Sequence, residues 1–184
     1  MIKSKGMILM LTLAPSSLMA QECNNAVNAT TPDYRFADNG DGTVSDTRTG
    51  LRWQRCPVGY TLNDNSTSFN SDDSCELQTD TTFNWQGALL SAADLNSAGG
   101  FAGFSDWRVP NIKELASIVE FKCHSPAINP NLFPDTASDH FWSSTTYGTT
   151  TTAATMHFEY GENRWSYKDL AGFEHYVRLL RDGS

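Results

Sequence analysis

Beyond its first 20 residues the sequence has no apolar run near the roughly 18 residues that a membrane-spanning helix needs, so the chain downstream is expected to be soluble. Basic residues are scarce. The 13 Lys and Arg stand against 21 Asp and Glu, a formal charge of -8, and a chain of that sign repels nucleic acid and other polyanions at long range. There is no Cys-x-x-Cys pair and no cysteine–histidine spacing of the zinc type, so neither a dithiol redox motif nor a structural zinc motif is present. The sequence also lacks a Gly-x-Ser-x-Gly elbow, and no His-x-x-x-His pair falls on an expected helix, which leaves serine hydrolases and helical zinc proteases without a signal. No internal repeat is found.

What is present begins with a leader. Lys3 and Lys5 are followed by an uncharged stretch to Ala20, whose apolar core Met7–Ala14 gives way to small residues. This is a secretory signal over residues 1–20, with cleavage expected after Ala20. Residues 21–31 then read as an N-terminal extension and 32–184 as one domain. Cys23 follows Ala20-Gln21-Glu22 and not an apolar-small-small run, so no acyl anchor is expected. Without Lys3 and Lys5, 11 basic residues face 21 acidic ones and the charge becomes -10. The four cysteines, Cys23, Cys56, Cys75 and Cys123, are an even number in an exported chain, which argues for two disulfides. Three pairings are possible. Pro57 to Ser74 reads as an irregular loop needing a staple, which favours Cys56–Cys75 and leaves Cys23 for Cys123. The expected location is the periplasm, the cell surface or the medium.

Between Thr31 and Cys56, short β-prone pieces (Tyr34–Phe36, Gly42–Ser45, Leu51–Trp53) are punctuated by Asn39-Gly40, Asp41-Gly42 and Thr49-Gly50, a meander of short strands. Ala88, Leu89, Ala92 and Leu95 recur at helical spacing and stop at Gly99-Gly100, which predicts a helix of about 12 residues. Ile112, Leu115, Ile118 and Val119 predict a second helix, with Asn111 and Glu114 spaced as a capping box. After a coil rich in proline and asparagine come Phe141–Ser144, a threonine-rich tract from Thr145 to Thr155, Met156–Tyr160, a turn at Gly161–Asn163, Arg164–Lys168 and a last strand near Tyr176–Arg181. Alternation puts Met156, Phe158 and Tyr160 on one face and Val177 and Leu179 inward. Strands, two helices and strands again make an α+β domain with antiparallel sheets.

Few constellations suggest chemistry. Asn39-Gly-Asp-Gly-Thr-Val44 looks like the middle of a calcium loop, but the alignment puts Ala37 at the first ligand position and Arg48 at the twelfth, so a hairpin turn is the better reading. The histidines, His124, His140, His157 and His175, show no ligand spacing. His157 alternates out of phase with its apolar neighbours and reads as a surface residue. His124 follows Cys123, but adjacent strand residues point apart and a disulfide consumes the thiol. No catalytic residue, metal ligand or cofactor is therefore expected. Carboxylates such as Asp72-Asp73, Asp135, Asp139, Glu159 and Glu162 are dispersed, as on a solvated acidic surface. The sequons at Asn28 and Asn65 are given no role. What remains is the C-terminal quarter, where Tyr147, Trp165 and Tyr167 lie among Asn163, Arg164 and Lys168. Rings offer contact area at low entropic cost and short polar neighbours adapt to a ligand, so these six residues are the candidate binding surface. The plainer alternative is that the rings cover a small sheet. Trp165 and Tyr167 share a strand face, and the sequence does not say whether that face is core or surface.

Six segments, RFADNGDGTVSDTRTGLRWQRC, NWQGAL, GFSDWRVPNIKELASIV, SPAINPNLFPDT, FWSST and YVRLLRDG, follow one another from about Pro32 to Gly183. Together they resemble the bacterial Lcl C-terminal domain family, a domain of unknown function named from a collagen-like adhesin. The resemblance implies a C-type-lectin-like fold, with two helices flanking small antiparallel β-sheets, in exported or surface proteins, and cysteines like those at Cys56 and Cys75. It also implies glycan recognition, since the founding adhesin binds sulfated glycosaminoglycans. This chain differs in having no Gly-x-y stalk and in being strongly acidic, which turns the expectation toward a neutral glycan or a protein. Arg108-Val-Pro-Asn-Ile-Lys-Glu114 is similar to a segment of the formylglycine-generating enzymes of the same fold group. Those enzymes work through two copper-binding cysteines near the C-terminus, and no cysteine follows Cys123 here.

The reading that results is a disulfide-stapled, exported, adhesin-like binding module for a glycan or protein ligand outside the cytoplasm, with no chemistry of its own. An enzyme is the first alternative, and a cleft with converging ionisable groups would favour it. A subunit of a surface fibre or pilus-associated complex is the second, and a large flat apolar patch would favour that. The oligomeric state is not set by the sequence.

Overall fold

The computed structural model describes residues 21–64, 69, 73–79, 81–148 and 151–183. The expected leader, the sequon at Asn65 and Asp72 lie outside the described residues. In chain order the elements are β1 (Glu22–Cys23), a 3-10 turn (Asp33–Arg35), β2 (Phe36–Asp38), β3 (Thr43–Asp46), β4 (Leu51–Gln54), β5 (Tyr60–Asn63), β6 (Ser74–Leu77) and α1 (Trp85–Ser97). There follow α2 (Ile112–Ala116), β7 (Cys123–His124), β8 (His140–Thr146), β9 (Thr152–His157), β10 (Glu162–Tyr167) and β11 (Leu180–Asp182). All strand pairs are antiparallel. They form a four-stranded sheet in the order β11-β4-β3-β2, a three-stranded sheet in the order β10-β9-β8, and two ribbons, β1-β7 and β5-β6. The fold is thus mixed α and β, mostly small antiparallel sheets with two helices.

Turn chemistry explains the first sheet. Gly40 and Gly42 take φ of +67° and +81°, a region that only glycine enters cheaply. Asn39 N–H donates to the Thr43 carbonyl at 3.1 Å, and the Asp38 carboxylate accepts from Gly40 N–H at 2.9 Å. Asp41 is paired with Arg52. Asp38 Oδ1 and the Asp41 carboxylate are thus engaged in holding the β2–β3 turn and its neighbour β4.

The helices are held by their caps. The Asn84 side chain accepts from Gly87 N–H at 2.8 Å, and α1 buries Ala88 and Ala92. Asn111 and Glu114 form a full capping box on α2. That helix is only five residues long, shorter than the apolar spacing predicts, because Ile118 and Val119 reach the core from the turn after it. Arg108 holds Glu114 through two contacts at 2.8 Å and Asp182 at 2.6 Å, so the Arg108–Glu114 segment is a helix start clamped to the C-terminal strand.

Two apolar clusters fill the molecule. One gathers Phe36, Trp53, Leu115, Ile118, Phe133, Phe141 and Phe158, the other Ala88, Trp107, Val109, Trp142, Ala153 and Val177. Strand alternation divides β8 between them, with Phe141 entering the first and Trp142 the second. α2 therefore covers one face of the β8-β9-β10 sheet and α1 the other. The C-terminal strands depart from the predicted pattern. β9 ends at His157, so Met156 and Phe158 are buried but Tyr160, in the following turn, is exposed. Val177 and Leu179 point inward as expected, yet Arg178 and Leu180 are buried too, because this segment runs between the sheets and has no solvent face.

The structure joins Cys56 to Cys75 and Cys23 to Cys123. Near the second bridge, the Glu120 carboxylate accepts from the N–H groups of Thr30 at 3.0 Å, Thr31 at 2.9 Å and Lys122 at 3.0 Å. Burial raises its pKa, but these donors outweigh burial and hold the group below the ordinary range. The N-terminal extension is tied down by both devices.

Candidate functional site

β10 is an edge strand, bonded to β9 on one side only. Its register with β9 sets Asn163, Trp165 and Tyr167 opposite Met156, Ala154 and Thr152, on the α2 face of the sheet. Glu162, Arg164 and Ser166 sit on the other face. Beyond the end of α2 the first face is bare: Trp165 is 50% exposed, Tyr167 51% and Tyr147 69%. Tyr147, from the β8–β9 connection, meets Trp165 with ring centroids 5.3 Å apart. Tyr167 rests edge-on against Phe173 at 5.5 Å. Four of the six residues singled out from the sequence thus share one exposed surface.

The other two do not. Arg164 points to the opposite face and pairs with Glu162. Lys168 is 9% exposed, with its ammonium 4.1 Å from the centre of the Trp85 ring and its carbonyl accepting from Trp85 N–H at 3.0 Å. A cation held over an indole face in this way braces the end of β10 and is unavailable to a ligand.

The α1 face of the same sheet holds an arrangement with no spacing signature in the sequence. His140 and His157 are register partners on β8 and β9, with ring centroids 4.3 Å apart, and the His175 ring lies 4.9 Å from that of His140. Three of the four histidines therefore meet, and His157, read from the sequence as a surface residue, is half-buried among them. His140 Nδ1 is 2.9 Å from Thr155 Oγ1, and His175 Nε2 is 2.6 Å from Ser166 Oγ. Burial and then His157 lower the pKa of His140, while burial and then His140 lower that of His175 to about 4. Both shifts favour the neutral imidazole of His140 and His175, the form that offers a lone pair. Asp139 adjoins them, and Glu159, Glu162 and Arg164 line the same groove of about 310 Å³. Only the β8–β9 register and the return of the chain at His175 bring these residues together.

A third feature is a cleft of about 450 Å³ beside the Cys56–Cys75 bridge, lined by Val58, Leu62, Leu95, Phe101 and Leu179. Its size and apolar walls suit a small apolar molecule. Behind it, Arg178 is fully buried, donating to the Gln54 carbonyl at 3.0 Å and to Thr136 Oγ1 at 2.7 Å. Burial and then Arg55 push its pKa down to about 9. Arg55 pairs with the buried Asp73 at 2.7 Å. These two cations tie β4 to the coil before β8 and face no opening.

Residues 42–181 match the Lcl C-terminal domain. No curated protein matches the chain.

Proposed function

We propose, from the premise that the chain belongs to the Lcl C-terminal domain family, that it is an exported, adhesin-like recognition module that binds a neutral glycan and performs no chemistry of its own. The observation that carries this reading is the bare ring surface of Tyr147, Trp165 and Tyr167 with Asn163 between them. Exposed aromatic rings are costly to leave in water, and a pair already in contact has little conformational freedom to lose on binding. Sugars present C–H faces that pack on such rings and hydroxyls that pair with an amide such as Asn163. The acidic charge argues against sulfated glycans. Two disulfides support export, since such bonds persist in oxidising compartments. None of the described helices is long and apolar enough to cross a membrane. The helices, small sheets and irregular connections are compatible with the C-type-lectin-like fold that the family resemblance implies, in which loops and strand edges carry recognition.

The test is a broad glycan array probed with oxidised protein at low and at physiological salt, repeated with Trp165→Ala and Tyr147→Ala. The expected result is salt-resistant binding to neutral glycans that each substitution weakens about tenfold or more, with unchanged circular dichroism. Silence across the array would overturn the glycan assignment in favour of a protein partner. Binding that survives loss of both rings would move the site to the apolar cleft beside α1.

A further inference from the structure

We propose that Asp139, His140 and His157 form a binding site for a divalent transition-metal cation of the zinc class. One ligand atom from each lies within 4.8 Å of the other two. Donor chemistry selects the class. Two imidazoles and one carboxylate suit zinc and its neighbours, whereas calcium and magnesium require six or more oxygens. Three protein donors also leave a fourth tetrahedral position open to water or to a donor atom of a ligand.

The surroundings prepare the donors. Thr155 Oγ1 lies 2.9 Å from His140 Nδ1 and 3.4 Å from the Arg164 carbonyl. Metal binding through His140 Nε2 uses the tautomer in which Nδ1–H donates to Thr155 and the Thr155 hydroxyl turns to Arg164, the outer-sphere arrangement usual for ligating histidines. His157 Nδ1 accepts from Glu159 N–H at 3.2 Å, a long contact that must be exchanged if Nε2 is to bind. Tetrahedral donors about 2.1 Å from zinc lie about 3.4 Å apart, so the cluster must close by up to about 1.4 Å. Asp139 is exposed, and its Oδ1 accepts from His140 N–H at 2.6 Å, a contact that the closure must keep or exchange.

Charge favours a cation there. Arg164 opposes it, but is paired with Glu162, and Glu159, whose Oε2 is 3.9 Å from His157 Nε2, adds a second carboxylate beside Asp139. His175 is engaged by Ser166 and packs behind the His140 ring. The donors lie on the opposite face of β10 from the bare rings, although Trp165 also lines the groove, and zinc uptake is measured without glycan so that the two proposals are tested separately.

The experiment is calorimetric titration of untagged, metal-free protein with zinc chloride. One equivalent should bind. His140→Gln and His157→Gln should each weaken binding by at least the 10–100-fold that loss of a supporting outer-sphere partner usually costs, and Thr155→Val should weaken it about tenfold. His124→Gln, altering a histidine outside the groove, should change nothing. Histidine NMR spectra of the unsubstituted protein provide a measurement that no folding defect can confuse: zinc should shift the ring resonances of His140 and His157 and leave those of His124 in place. No uptake at about 100 μM zinc, undiminished binding by both groove variants, or shifts confined to His124 would each overturn the proposal.

Discussion

His175 is buried, with Nε2 2.6 Å from Ser166 Oγ, and its pKa falls from 6.5 to about 4 because burial, and after it His140, penalise the charged ring. In the unfolded chain the same ring titrates near 6.5. As pH falls from 7.5 the unfolded chain therefore takes up this proton first, and folding stability that is fully present above pH 6.5 is lost down to pH 4. For one site with these two values the loss is about 2 kcal/mol between pH 7.5 and 5, levelling off near 3 kcal/mol below pH 4. The assay is urea denaturation across this range in the presence of EDTA, comparing the unsubstituted protein with His175→Gln, which retains an amide for Ser166 and does not titrate. The stability difference between the two should change by about 2 kcal/mol in favour of the variant on going from pH 7.5 to 5. Asp46, Glu114 and Glu120, whose pKa values are lowered, also lose stabilisation in acid, but they are common to both proteins and cancel. Parallel pH profiles would refute the argument.

Two further outcomes follow from the ties that hold the N-terminal extension and the polar loop. The bridges span separations of 19 and 100 residues, so in the chain-entropy picture Cys56→Ala/Cys75→Ala should cost about 3 kcal/mol and Cys23→Ala/Cys123→Ala up to about 4.7 kcal/mol in urea denaturation. Thiol titration of the denatured, unreduced protein should find no free sulfhydryl, and any found would break the pairing. Glu120→Gln should cost about 2 kcal/mol, since a charged acceptor of several bonds is lost, and should speed hydrogen exchange at Thr30 and Thr31 ahead of the core; protected amides there would show that the disulfide alone anchors the extension.

Where a local rule decides the outcome, the sequence was legible. The Asn111/Glu114 box, the apolar spacing of Ala88 and Ala92 and the Asn39–Gly42 turn each involve residues within four positions of one another, and the structure contains all three. Long-range register was not legible. The threonine tract gave no sign that Thr152–Thr155 would be strand, because a run of β-branched residues has no alternation to show which end pairs. Tyr160 was placed on the face of Met156 and Phe158 by a period that stops at His157, where the chain turns. The histidine cluster needs His140 opposite His157 and a third ring from a segment 18 residues further on, a coincidence set by loop lengths alone. Of the bare surface, Tyr147, Asn163, Trp165 and Tyr167 could be read from ring and polar clustering, whereas the burial of Lys168 depended on Trp85, more than 80 residues earlier.

The place of β11 in the first sheet has a consequence for how the molecule is made. β4 lies between β3 and β11, with Leu180 opposite Trp53, and Leu180 lies in the same apolar cluster as Trp53. A chain delivered N-terminus first therefore cannot complete this sheet until residues 180–182 have arrived. For the interval between, the edge of β4 and the flank of Trp53 stand open, a vacancy that any passing strand could occupy. Removal of Leu180–Asp182 should therefore damage the β2-β3-β4 meander more than the β8-β9-β10 sheet.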